Sequence, residues 1–101
     1  MYRHGDLLLI PQNRPRANWP RKVDKFDGII LRGESTGHAH RLRDAESVTA
    51  YGDLSGIVEV ELHGPNSLIH EEHKEIVLPE GRYTVIRQRE YEGDNWRNVR
   101  D

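Results

Sequence analysis

The sequence contains no cysteine, which excludes disulfides, thiolate zinc sites, iron–sulfur clusters and cysteine nucleophiles by inventory. Any metal site must therefore draw on nitrogen and oxygen donors. Long apolar runs are missing as well: "DLLLIP" near the N-terminus is stopped by Pro11, too short for a signal-peptide core or a membrane span. A cytoplasmic protein without a membrane partner is the expectation. Apolar residues make up 35% of the 101 and charged residues 32%, which predicts one compact domain over residues 1–101 with a small core. No window keeps an apolar stripe at helical spacing for three turns, so no amphipathic helix is expected.

The net charge is only −2, but it is unevenly placed. Residues 11–25 hold five Lys/Arg against one Asp, and residues 44–80 hold nine Asp/Glu against one Lys. Such a two-sided molecule can attract a polyanion locally, or pair basic and acidic faces in a homo-oligomer.

What is present is a series of short segments rich in branched and aromatic residues, separated by Gly, Pro, Asn and Asp. About eight strands are predicted: 6–11, 28–32, 38–43, 47–51, 57–63, 67–71, 75–79 and 82–91. The fold class is all-β, a small single-domain barrel or two-sheet sandwich. In "GIVEVELHG" Val58, Val60 and Leu62 form a dry face, with Glu59, Glu61 and His63 on the wet one. Pro79, Glu80 and Gly81 read as the turn of a hairpin leading into the last strand. Residues 11–27, with three prolines, read as a long basic loop, and residues 92–101 as a flexible tail.

The segment "GESTGHAHRL", residues 33–42, carries the strongest chemical signal. Side chains alternate along a strand, so His38, His40 and Leu42 share a face and Ala39, Arg41 and Arg43 share the other. Leu42 seeks burial and the arginines seek water, which turns both histidines inward. Buried imidazoles need partners, and two of them on one strand face converge readily on a transition metal such as Zn, Fe, Mn or Ni. "LIHEEHKEI" offers the remaining donors: His70 shares a face with Leu68, His73 is its alternate, and Glu71 or Glu72 is a candidate general base or a carboxylate that holds a ligating histidine.

"GESTGHAHRLRDAESVTAYG" also resembles the first motif of the cupin family, through Gly33, the His38–His40 pair and Gly52. The resemblance implies a small β-barrel with a metal inside, and an acidic ligand at Asp44 or, alternatively, Glu46. The family's second motif is matched at Pro79 and Gly81, but Thr84 stands where that motif has a histidine. The chain further resembles an uncharacterised short bacterial and phage family that shares "GESTGHAH" and "HEEHKEIVLPEGRYTVIRQREY".

Three functions compete on these residues. The first is a metal-binding protein or a metal-dependent enzyme on a small substrate, with His38, His40, His70 and Asp44 as ligands, Glu46 and His73 as alternates, and Glu71, Arg87 and Tyr83 as catalytic candidates. The second is an RNA binder or metal-independent ribonuclease. There Arg14, Arg16, Arg21 and Lys22 would meet phosphates, Trp19 would stack on a base, and a histidine pair would act as acid and base. The third is a homo-oligomeric interaction module.

Overall fold

The computed structural model describes residues 1–13, 20–32, 37–53 and 56–87. Within them the chain forms β1 (Tyr2–His4), β2 (Leu7–Gln12), β3 (Arg21–Lys22), β4 (Ile29–Arg32), β5 (Ala39–Leu42), β6 (Val48–Asp53), β7 (Gly56–Leu62), β8 (Asn66–Ile69), β9 (Ile76–Leu78) and β10 (Gly81–Arg87). A single 3-10 turn, Ala45–Ser47, leads into β6. No helix long and apolar enough to cross a membrane occurs among the described residues.

The strands build two antiparallel sheets, one ordered β1-β2-β10-β7-β6-β3 and the other β4-β5-β8-β9. Neither closes on itself, so the two-sheet alternative describes the molecule and the closed barrel does not. Alternation places the inner faces: Leu7, Leu9, Val60, Leu62 and Tyr83 from the larger sheet meet Ile30, Leu42, Leu68 and Leu78 from the smaller one. Burying each such Leu stabilises the fold by about 1.5–3 kcal/mol. Val60 and Leu62 confirm the predicted dry face of β7, and His63 stands exposed on the other side with its Nε2 2.7 Å from Thr49 Oγ1.

Two strands were not foreseen. β1 pairs with β2 through a tight turn at Gly5 and Asp6, with Gly5 at φ 63°, the left-handed region that hairpin turns fill with glycine. β3 lies inside the stretch read as loop and forms the two-residue edge of the larger sheet. The predicted hairpin at Pro79–Gly81 is corrected: β9 pairs with β8 in the smaller sheet, whereas β10 sits between β2 and β7 in the larger. That turn is a crossover between sheets, held where the buried Tyr83 hydroxyl donates to Pro79 O at 2.6 Å. Arg14, Arg16 and Trp19 of the basic loop, Gly33 and the 92–101 tail lie outside the described residues.

Candidate metal centre

β5 pairs with β8 in a register that sets Arg41 opposite Ile69 and Leu42 opposite Leu68. One step further along this register, His40 faces His70; the next steps bring Ala39 to Glu71 and His38 to Glu72. The side chains follow it. The His40 and His70 rings lie 4.4 Å apart, Glu71 Oε1 accepts from Ala39 N at 3.0 Å, and His38 Nδ1 lies 3.5 Å from Glu72 Oε1. Glu71 also accepts from Arg41 Nη2 at 2.7 Å. Its carboxyl is pulled down to about 2, first by the Ala39 amide, then by its own amide and the Arg41 cation.

His40 projects inward from β5 and is 3% exposed, while His38, just ahead of the strand, keeps 29% of its side chain in solvent. From the larger sheet His4, also 3% exposed, comes to meet His40, with the two Nδ1 atoms 2.9 Å apart. His4 Nε2 lies 2.9 Å from Lys74 O, and His40 Nε2 lies 3.2 Å from Asp6 Oδ1. A clasp therefore runs from the loop before β9, through β1 and β5, to the β1–β2 turn.

The contacts of this clasp restrict its protons. Lys74 O and the Asp6 carboxylate only accept, so three hydrogen bonds in a row need three protons on ring nitrogens. Two neutral imidazoles bring only two. The Nδ1–Nδ1 contact therefore lacks a proton whenever both rings are neutral. Burial and the facing imidazoles make charging costly: His4 is pushed below the ordinary histidine range chiefly by desolvation, and His70 likewise by desolvation and then by His40 and His73.

His73 completes the group. Its ring lies 4.5 Å from His70 and stacks parallel to His40 at 5.7 Å, directly over the β1–β2 turn. A Cβ at Gly5 would come within 2.5 Å of His73 Nε2, so the missing side chain makes room for the imidazole. His40, His70 and His73 each present a ligand atom within 4.8 Å of the other two. Three nitrogens bound to one ion at about 2.1 Å in a tetrahedral arrangement lie roughly 3.4 Å from one another. Ligation therefore draws the three rings together, and His73, exposed at the rim, is the residue with room to move. His38, His70 and Glu71 form a second possible group, but the Glu71 oxygens are already engaged by the Ala39 amide and Arg41. An all-imidazole set suits borderline ions such as zinc, nickel and iron.

Of the residues singled out from sequence, His38, His40, His70, His73 and Glu71 are brought to one end of the sandwich. Asp44 and Glu46 are not. Asp44 caps the 3-10 turn, accepting from Glu46 N at 3.2 Å and Ser47 Oγ at 3.0 Å. Its backbone is tied to the buried Asn66 amide, whose Nδ2 donates to Asp44 O at 2.8 Å. Four residues of extended chain separate it from His40, about 13 Å. Tyr83 belongs to the core, and Arg87 lines a cleft whose other walls contain none of the histidines. Arg21 and Lys22 are exposed on β3, away from this group in the sheet order. The residues missed were His4 and Asp6. Their signal was "HGDLLLI", a histidine, a turn-forming Gly-Asp pair and an apolar run, which marks a hairpin that turns His4 to the same face as Leu7.

Neither a curated protein nor a solved structure matches the chain significantly. The family model described as "Domain of unknown function (DUF8820)" matches residues 3–88, and the chain belongs to that family.

Proposed function

We propose that the protein binds one divalent transition-metal ion through His40, His70 and His73. Asp6 holds His40 from behind through Nε2, the ion takes His40 Nδ1 in exchange for its contact with His4 Nδ1, and Glu71 and Glu72 supply negative charge at the rim. The observation that carries this reading is the approach of three imidazoles to within 4.8 Å of one another, beside a buried His4–His40 contact that lacks a proton whenever both rings are neutral. Histidine ligands are commonly held by a carboxylate on the far nitrogen, and Asp6 stands in that relation to His40. Three protein ligands would leave a position for water or a small substrate, which the ion would activate or polarise.

The test is metal analysis of protein purified without an affinity tag, followed by titration of chelator-treated protein with Zn, Ni, Co and Fe(II). One equivalent is expected, with His73→Ala weakening binding at least tenfold and cobalt giving the visible spectrum of a nitrogen-ligated site. Protein that carries no metal and whose melting temperature is unmoved by all four ions would rule the reading out.

A further inference from the structure

A second site lies at the same end of the sandwich but on different residues. Between β4, the β6–β7 hairpin and the end of β10 is an open cleft of about 460 Å³, within the range of about 300–1,000 Å³ usual for small-molecule sites. A smaller space of about 160 Å³ adjoins it, sharing Ile30, Leu31, Ile57 and Arg87 and reaching the core at Leu7 and Val85. The walls are mostly aliphatic, from Val23, Ile29, Ile30, Leu31 and Ile57. Where the β6–β7 hairpin borders the cleft its two strands come close together: a Cβ at Gly52 would lie 2.5 Å from Gly56 O.

One polar atom in this wall is unexplained. Among the described residues Arg87 Nε is buried and meets no hydrogen-bond acceptor, an unfavourable arrangement unless something supplies one. The other charged groups of the cleft narrow what that is. Arg32 is mostly exposed and turned toward Asp27, Nη2 to Oδ2 3.8 Å. Asp53 lies in the same wall and disfavours a dianion. One guanidinium facing an aliphatic trough with a carboxylate nearby fits a monoanion whose planar head can take a guanidinium edge.

We infer that this cleft binds a small amphipathic monocarboxylate, such as a medium-chain fatty acid, with its carboxylate on Arg87 and its chain along Ile29, Ile30, Leu31 and Ile57. The site stands apart from the proposed metal centre and does not depend on it. Decanoate, added to the full chain in the presence of a metal chelator, is the probe, with 1-decanol as its uncharged counterpart. Methyl resonances of Ile29, Ile30 and Ile57 should shift saturably with decanoate, and decanol should bind at least tenfold more weakly. Arg87→Gln should bring decanoate down to the level of decanol. The inference is overturned if acid and alcohol bind alike, if neither binds, if the shifts fall on other methyls, or if folded Arg87→Gln binds decanoate unchanged. Should that variant fail to fold, the acid-to-alcohol ratio on the unaltered protein decides.

Discussion

At the scale of single residues, the decisive contact is the one between His4 and His40. Each ring is buried and each uses both nitrogens, so removing either strands a polar group in the interior. His4→Ala should destabilise the apoprotein by about 1–3 kcal/mol, the cost of leaving His40 Nδ1 and Lys74 O without partners. The exposed His63 should change stability by less than about 0.5 kcal/mol on the same substitution, and urea unfolding of the two variants at pH 7.5 checks both values. Titration makes a separate prediction. The folded-state values of His4 and His70 lie below 6.5, so between those values and 6.5 the unfolded chain binds more protons than the folded one. Their contribution to stability is complete above pH 6.5 and declines as pH falls below it. Glu71 acts lower, its contribution being present above 4.5 and lost as pH falls toward 2; lying at the exposed rim, it is screened by solvent. Denaturant midpoints measured in chelator from pH 8 to pH 5 should fall below pH 6.5, and a midpoint that rises over that interval would contradict the assignment.

Among elements, the β5–β8 register and the β1–β2 hairpin do most to assemble the site. The first converts two sequence motifs into one cluster, because "GHAHRL" read forwards lies against "SLIHEEH" read backwards. The second carries His4 to the cluster and leaves room above Gly5 for His73. Gly5→Ala should therefore have two effects: strain of about 1–2 kcal/mol from a side chain at φ 63°, and displacement of His73 by the new methyl group. Metal affinity should fall at least tenfold in a folded Gly5→Ala protein, and calorimetric titration with zinc measures it. Parity along β5 was legible in the sequence and led correctly to an inward His40, since Leu42 and the neighbouring arginines state opposite preferences for water. Parity failed at Ala39, which is 1% exposed on the face assigned to solvent, because Glu71 folds back onto its amide. Which strand lies beside β5 was not legible, since pairing between distant segments leaves no periodic mark on either. The same gap made Asp44 look reachable from His40: proximity in sequence stood in for proximity in space, and the Asn66 side chain holds it elsewhere.

For the whole molecule, the cluster sits where the two sheets meet at one end, with His4, Asp6 and Gly5 from the larger sheet and His40 and His70 from the smaller sheet and the loop leaving it. The apolar core holds the sheets together along their inner faces, but at this end polar rings replace leucines. An ion bound there would be bound by the folded chain alone, since the ligands are scattered from residue 40 to residue 73 and the unfolded chain does not gather them. Its stabilisation then follows mass action: free metal at one hundred times the dissociation constant adds about 2.7 kcal/mol. For a domain of this size that corresponds to a rise in melting temperature of roughly 10–20 °C. Zinc titration monitored by thermal unfolding should show this rise at pH 7.5 and lose most of it at pH 5.5, where protons compete for the imidazoles. In His73→Ala the rise should shrink markedly at the same free zinc, whereas His38→Ala should retain most of it, because His38 stands outside the group formed by His40, His70 and His73. A rise lost in His38→Ala but kept in His73→Ala would move the centre to the alternative group of His38, His70 and Glu71.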